Sequence, residues 1–223
     1  MTRVTLTMLI WLAPGGEQAL NTFREQAAPL WQQHDLRVER VLSGTGKGQL
    51  LGVNPHDVPD VLQVVSMPSL EAFRAYTTSP EYVRLSAARD RGIARMVAVI
   101  GEPLDVSAYN PVSQSDPSAR QYGVAFARFL PGGAEGMDEF NRRAHALYVR
   151  HGMHVEAMVR VAKTVTPVGS ELEDFAPERV VVFFVDDPAA LKAYVADPEY
   201  QALAPVRDSG LRSYDFFLGR SAR

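Results

Sequence analysis

The sequence contains one pattern of residues twice, and this internal repeat restricts the possible folds more than any other feature. When the second half is laid on the first, Pro14-Gly15-Gly16 aligns with Pro131-Gly132-Gly133. Further aligned pairs are Phe23 with Phe140, Ala27 with Ala144, Leu30 with Leu147, Trp31 with Tyr148, His34 with His151, Tyr76 with Tyr194, Tyr82 with Tyr200, Leu85 with Leu203, Arg89 with Arg207 and Gly92 with Gly210. So many matches in one order indicate a duplicated structural unit, and 223 residues suffice for two small ones.

Each copy predicts the same order of strands and helices. A β-rich run ends in the Pro-Gly-Gly turn, and apolar residues at helical spacing follow it. Ser79-Pro80 and Asp197-Pro198 are typical helix starts, a capping side chain followed by proline. The predicted strands are 4–12, 37–42, 61–67 and 94–100, then 124–130, 154–161, 180–185 and 213–218, with helices 69–78 and 80–91 in the first copy. The predicted fold class is therefore α+β, two tandem β-α-β-β-α-β units of the ferredoxin-like type.

The two copies also predict how the chain divides into domains. Repeat one is expected at residues 1–104 and repeat two at 121–223. Between them, residues 105–120 contain proline, serine and aspartate without apolar periodicity, which is typical of a linker.

Composition argues against several classes of partner. The chain has 23 Lys and Arg against 26 Asp and Glu and no long run of like charge, so a nucleic-acid surface is not expected. The absence of cysteine excludes disulfides, thiolate metal ligands and a cysteine nucleophile. No apolar stretch is long enough to span a bilayer. The sequence therefore predicts a cytoplasmic protein with no membrane partner.

Three features together carry a resemblance to known proteins. They are the order of elements, the Pro-Gly-Gly turn before a helix that ends in Arg150-His151-Gly152, and the closing segment 197–203 with Arg207. Over both repeats the chain resembles the dimeric α/β-barrel superfamily, and within it the small uncharacterised ferredoxin-like and NIPSNAP-like members more than the antibiotic-biosynthesis monooxygenases. The resemblance implies that one chain supplies both halves of a barrel that two chains normally form.

The same resemblance implies a range of activities. The superfamily includes cofactor-free monooxygenases, polyketide cyclases, lactone isomerases, haem-degrading enzymes and haem peroxidase relatives. A fold shared by so many activities indicates no single reaction.

Strand alternation predicts where a ligand would bind. In the first strand Leu6, Met8, Ile10 and Leu12 form an apolar face suited to covering by helices. The opposite faces are mixed aromatic and polar, and if both sheets turn them inward they would enclose a small-molecule pocket. The predicted substrate-binding residues are Trp11, Glu39, Tyr122, Phe126, Met158 and Arg160. The alternative is that Arg128, Glu39 and Glu156 only pair with one another.

Catalysis is predicted for three residues of the second repeat. His154 and Glu156 lie two positions apart on a strand, where a carboxylate could orient an imidazole general base. Arg128 would stabilise an anion. The alternative for His154 is an exposed residue at the start of a strand. His34 and His151 are expected to cap the long helices, and no metal site is predicted because His145, His151 and His154 lack an acid at ligand spacing.

These observations favour a small-molecule enzyme of secondary metabolism that uses no metal or nucleotide cofactor. The expected substrate is aromatic or polyketide-like, and the expected reaction is a cyclisation, an isomerisation or a cofactor-free monooxygenation. One alternative is a non-catalytic ligand-binding or assembly protein. The other is a haem protein with His34, His145, His151 or His154 as axial ligand. The chain would act as a monomeric pseudo-dimer or as a homodimer.

Overall fold

The computed structural model describes residues 3–51, 55–107, 113 and 115–222, and the side chains of residues 49 and 50 are not considered. Six of the residues in the predicted linker, 108–112 and 114, thus lie outside the described residues. The elements are β1 (Val4–Leu12), α1 (Glu17–Gln33), β2 (Arg37–Leu51), β3 (Val61–Met67), α2 (Leu70–Thr78), α3 (Pro80–Asp90), β4 (Ile93–Leu104), β5 (Gln121–Phe129), α4 (Ala134–Arg150), β6 (Met153–Val168), β7 (Arg179–Val185), α5 (Pro188–Ala196), α6 (Pro198–Asp208) and β8 (Leu211–Ser221).

The chain divides into two compact units, each formed mostly by one repeat together with one segment of the other. Unit one comprises Met1–Ser43, Pro59–Pro103 and Val161–Phe175, and unit two comprises Gly44–Val58, Leu104–Arg160 and Ala176–Arg223. In unit one β1 pairs antiparallel with β3 and β4, and in unit two β5 pairs antiparallel with β7 and β8. The second strand of each repeat lies beside the third, so β2 pairs with β3 and β6 with β7.

Strand pairing confirms the predicted fold class. The strand order is β4-β1-β3-β2 in repeat one and β8-β5-β7-β6 in repeat two, which is the order of a ferredoxin-like unit in each. β2 and β6 extend well beyond the predicted ends at residues 42 and 161. The extension of β2 was missed because its glycines and polar residues are typical of a loop. At Gly48 a Cβ would lie 2.3 Å from the Phe216 ring, so glycine lets the strand pass close to that ring.

The helices begin where the capping residues predict. Ser79 accepts a hydrogen bond from the Tyr82 amide, and Asp197 accepts one from the Glu199 amide at 2.8 Å, each with proline at the next position. The long helices end at His34 and His151, as predicted. In repeat one the apolar face of β1 packs under the helices, with Leu6 beside Leu30 and Ile10 beside Phe23. The predicted orientation of that strand is therefore confirmed.

A β-bulge interrupts the second strand of each repeat. In repeat one the register against β3 shifts around Glu39, and in repeat two the register against β7 shifts around Glu156. A bulge places two residues opposite one, so the alternation of side chains between the two faces changes beyond it. The bulges therefore decide which residues of β2 and β6 share a face.

Candidate functional site

Among the described residues, a cavity lies between the helices and the sheet of each unit. The cavity in unit one has a volume of about 80 Å³ and the cavity in unit two about 60 Å³. We call them the repeat-one cavity and the repeat-two cavity. The repeat-one cavity is lined by Leu6, Met8, Ile10, Leu20, Phe23, Arg24, Trp31, Leu36, Gln63, Val65, Phe73, Tyr76, Tyr82, Arg89, Met96, Ala98 and Pro167. The repeat-two cavity is lined by Met137, Phe140, Asn141, Tyr148, Met153, Val155, Met158, Val181, Phe183, Leu191, Tyr194, Val195, Arg207, Tyr214 and Phe216.

Arg24 is a partly unpaired cation in the repeat-one cavity. It follows Phe23 on the buried side of α1, and its Nη2 donates to Gln63 Oε1 at 3.0 Å. Its Nη1 donates to Asn21 Oδ1 at 3.3 Å. Its Nε is buried and has no hydrogen-bond partner. Burial lowers the pKa of Arg24, because the charged form loses solvation that no carboxylate among the described residues replaces. An anionic oxygen in the cavity would supply the missing partner.

Aromatic side chains line much of the repeat-one cavity. Trp31 Nε1 donates to the Tyr76 hydroxyl at 3.0 Å, and burial raises the pKa of Tyr76, so its phenol stays neutral. The second arginine of the cavity, Arg89, is already paired, since it donates to the Tyr82 hydroxyl at 2.7 Å and lies 2.6 Å from Asp90. The lining therefore favours a flat apolar ligand that carries one anionic or strongly polarised oxygen.

The repeat-two cavity has the same position in its unit, but its described lining residues include no unpaired cation. The alignment of Phe23 with Phe140 places Asn141 where repeat one has Arg24. Asn141 Oδ1 accepts a hydrogen bond from the Tyr148 hydroxyl at 2.8 Å, while its Nδ2 is buried without a partner. Duplication has thus kept the cavity and changed its chemistry.

The structure places His154 beside a carboxylate that the sequence did not predict. His154 is 3% exposed, so the alternative of an exposed strand-start histidine is wrong. Its Nε2 lies 3.2 Å from Asp186 Oδ2, and its ring stacks on Phe184 with the centroids 4.4 Å apart. Partial burial of Asp186 opposes ionisation, yet hydrogen bonds from Ser113, Ser115 and His154 hold the pKa of that carboxyl below its usual value. A carboxylate bonded to His154 is therefore that of Asp186, which directly follows β7.

The bulge also corrects the predicted face of β6. Strict alternation would place Met158 on the same face as His154. Met158 instead pairs with Val181 and lines the repeat-two cavity beneath the helices, while His154 pairs with Phe184 on the opposite face. Arg160, beyond it, is exposed. A bulge cannot be recognised from polar and apolar periodicity alone, because the extra residue leaves the composition of the strand unchanged.

The remaining predicted residues lie on the face away from the helices. Tyr122 and Phe126 are almost wholly buried there, and Phe126 packs edge-on against Phe217. Arg128 lies near Asp215, whose pKa burial raises although the arginine opposes the shift. The other two positions are Trp11, with the Arg95 guanidinium 5.7 Å from its ring centroid, and Glu39, which is exposed and accepts a hydrogen bond from Ser66. Roles for these residues in substrate binding and catalysis stay a prediction.

Solved structures resemble the whole chain although its sequence is distant from theirs. An anthrone oxidase-like protein has a TM-score of 0.62 at 13% identity, with 100% of this chain and 92% of that chain covered. A proposed monooxygenase from Fusobacterium nucleatum subsp. nucleatum has a TM-score of 0.59 at 8% identity, with 100% and 93% covered. A chlorite dismutase variant from Candidatus Nitrospira defluvii has a TM-score of 0.61 at 11% identity, with 100% and 92% covered. The chain has the dimeric α/β-barrel fold.

The likeness is one of structure only. No protein-family profile matches the sequence, and no curated protein matches it. At these identities a shared dimeric α/β barrel indicates the fold and leaves the reaction open. Among the described residues no helix is long and apolar enough to cross a membrane.

The described linings of the repeat-one and repeat-two cavities do not fit a haem. Neither lining includes a histidine. His34 ends α1 with its ring against Tyr76, His145 is exposed on α4, and His151 bonds Asp197. Both volumes are well below the about 150 Å³ of an engineered cavity that holds benzene. The described residues also contain no group of three or more His, Cys, Asp or Glu that could hold a metal.

The hydrogen bonds of Asp197 predict that the protein loses stability in acid. Its side chain accepts hydrogen bonds from His151 Nε2 at 2.8 Å and from the Glu199 amide, and Arg150 Nη1 lies 3.1 Å away. The His151 hydrogen bond, foremost among these, lowers the pKa of Asp197 to about 2. Because the unfolded-state pKa is about 3.9, the carboxylate stabilises the fold above that pH, and the contribution is lost as the pH falls through about 2.

We therefore expect Asp197→Asn, which can still cap α6, to lower the Tm at pH 5 to 7 and to match the wild type near pH 2. Thermal melts from pH 7 down to pH 2 measure this. The control is Asp187→Asn, which alters the cap of α5 through its bond to the Ala189 amide. A Tm difference for Asp197→Asn that stays constant between pH 5 and pH 2 would contradict the assignment.

Proposed function

We propose that this protein is a small-molecule enzyme that binds an aromatic or polyketide-like substrate in the repeat-one cavity and oxidises it with dioxygen, without a metal or an organic cofactor. The observation that carries the proposal is the buried, unpaired Nε of Arg24 in an otherwise aromatic and apolar cavity. A preorganised donor of this kind stabilises negative charge as it develops on a substrate oxygen.

The chemistry that suits the cavity starts from a ring CH2 group conjugated to a carbonyl. The CH2 loses a proton to water, and the enolate oxygen accepts hydrogen bonds from Arg24. The enolate carbon then reduces dioxygen and forms a carbon–oxygen bond, and loss of one water leaves a carbonyl where the CH2 was. One O2 is consumed and one water is released for each substrate. The same stabilised enolate would serve a cyclisation or an isomerisation.

The names of two similar structures favour oxidation among these reactions. One protein is described as anthrone oxidase-like and another as a proposed monooxygenase. An anthrone is a fused aromatic ketone with one such CH2 group. Kinship with the NIPSNAP-like members, a cytoplasmic location, a place in secondary metabolism and the state of a pseudo-dimer or homodimer all stay predictions from the sequence.

The size of the cavity bears on how such a substrate would enter. A volume of about 80 Å³ holds only the edge of a fused ring system. Trp31, Leu36 and Phe73 line the cavity and are partly exposed, so they mark the side on which it meets solvent. We infer that the substrate enters between these side chains, with its oxygen towards Arg24.

The proposal is tested with 1,8-dihydroxyanthrone, oxygen-uptake measurements and methionine methyl labels. Met8 and Met96 line the repeat-one cavity, whereas Met137, Met153 and Met158 line the repeat-two cavity. We expect saturable oxygen uptake above the protein-free rate, one O2 per anthrone converted to quinone, and shifts of the Met8 and Met96 methyl resonances. Oxygen uptake equal to the protein-free rate together with unshifted Met8 and Met96 would refute the proposal.

A further inference from the structure

The repeat-two cavity contains a buried donor that the proposed function does not use. Asn141 is 4% exposed and lies on α4, and it lines the cavity beneath the helices of unit two. The Tyr148 hydroxyl donates to its Oδ1 at 2.8 Å, which leaves Nδ2 as the donor end of the amide. That Nδ2 has no hydrogen-bond partner. A buried amide donor without a partner is unfavourable, so a ligand that supplies an acceptor would gain affinity here.

The other polar groups around the cavity are neutral or already paired. Arg207 lies 2.6 Å from Asp208 and donates to the Tyr200 hydroxyl. Burial raises the pKa of Tyr194 and of Tyr214, so both phenols stay protonated and uncharged. An anionic ligand would therefore find no unpaired cation among the described lining residues, in contrast to the repeat-one cavity with its Arg24.

The rest of the lining is apolar. Met137, Met153, Met158, Val181 and Phe183 surround the amide. Apart from Asn141, the polar atoms of the lining are tyrosine hydroxyls and the paired guanidinium of Arg207. A molecule that combines an apolar body with a single acceptor oxygen suits this lining.

We propose that the repeat-two cavity is a second ligand site, selective for a small neutral molecule whose carbonyl oxygen accepts a hydrogen bond from Asn141 Nδ2. The proposal does not depend on the function assigned to the repeat-one cavity. The volume of about 60 Å³ limits the buried part of the ligand to a small ring or a carbonyl-bearing end. Met153, Leu191, Val195 and Phe216 are partly exposed and mark where a longer ligand would leave the cavity.

The probes are cyclopentanone and methylenecyclopentane, which differ only in an oxygen replaced by a CH2 group. In the wild type, methyl-labelled methionines report binding, and we expect cyclopentanone to shift Met137, Met153 and Met158 saturably and to leave Met8 and Met96 in place. The 15N-labelled side-chain amide of Asn141 should shift with cyclopentanone and stay unchanged with methylenecyclopentane. This second readout needs no variant, so it holds even if substitution at Asn141 prevents folding.

The variant Asn141→Leu keeps the volume of the side chain and removes the donor. We expect its affinity for cyclopentanone to fall about tenfold, and its affinity for methylenecyclopentane to change less than twofold. Arg24→Met is the matched control in the other cavity and should leave the shifts of Met137, Met153 and Met158 unchanged. The proposal is overturned if neither probe shifts these methyls, if the Asn141 amide does not respond to cyclopentanone, or if the substitution weakens both probes equally.

Discussion

Arg24→Met is expected to reduce turnover of 1,8-dihydroxyanthrone by about a hundredfold, because removal of one buried donor to a developing oxyanion typically costs that much in kcat. Methionine fills similar space and cannot bond an oxygen. The guanidinium Nε has no other partner among the described residues. We therefore expect the substitution to lower kcat more than it raises KM. Steady-state oxygen uptake at pH 7 measures both kcat and KM.

Arg84→Met is the matched control for this substitution. Arg84 is exposed on α3 in the same unit, so the same change of side chain there should leave turnover within twofold of the wild type. Arg24→Lys restores the charge and should recover part of the rate. If Arg24→Met and Arg84→Met turn over equally, Arg24 does not contact the reacting oxygen, and if only KM changes, the arginine binds substrate without stabilising the reacting charge.

Gly133→Ala is expected to lower the free energy of unfolding by about 3 kcal/mol, through a steric clash with the backbone. A Cβ at Gly133 would lie 1.9 Å from the Gly210 carbonyl oxygen. That oxygen accepts a hydrogen bond from the Leu130 amide at 2.9 Å, so the clash cannot be relieved without disturbing the bond. For a chain of this length the loss corresponds to a fall in Tm of about 10 °C.

The equivalent glycine of repeat one allows the same substitution to be tested independently. A Cβ at Gly16 would lie 1.9 Å from the Gly92 oxygen, which accepts a hydrogen bond from the Ala13 amide. Gly16→Ala should therefore destabilise the protein to a similar degree. Gly46→Ala is the control, because a Cβ at Gly46 would have no atom within 4 Å. Denaturant melts measure the free energy of unfolding of each variant. If Gly133→Ala and Gly16→Ala each lower it by less than about 1 kcal/mol, the backbone accommodates the added Cβ at little cost.

These glycine contacts explain part of why the fold could be predicted. The alignment paired Gly16 with Gly133 and Gly92 with Gly210, and the structure shows that the two glycines of each repeat meet at the start of the long helix. Turn residues, helix caps and hydrophobic periodicity are local signals that act over a few residues. Reading each of them twice removed most of the ambiguity that a single copy would leave.

The candidate site was harder to predict for two particular reasons. The bulges at Glu39 and Glu156 change side-chain alternation, and they moved Met158 to the face opposite His154. Arg24 stands on the amphipathic helix directly beside buried Phe23, where a long cation at the edge of an apolar stripe is ordinarily solvated. The alignment of the two repeats gave one signal. It pairs Arg24 with Asn141, next to the matched apolar pair of Phe23 and Phe140.

The amino-acid sequence alone determined that two copies of a β-α-β-β-α-β unit are present and where most of their helices and strands begin, because those properties depend on residues close together in the chain. Tertiary structure alone decided on which side of each sheet the cavities lie, that His154 bonds Asp186, and that Arg24 Nε and Asn141 Nδ2 have no partner. Burial and hydrogen-bond satisfaction depend on contacts between residues far apart in the chain, and no local pattern encodes them.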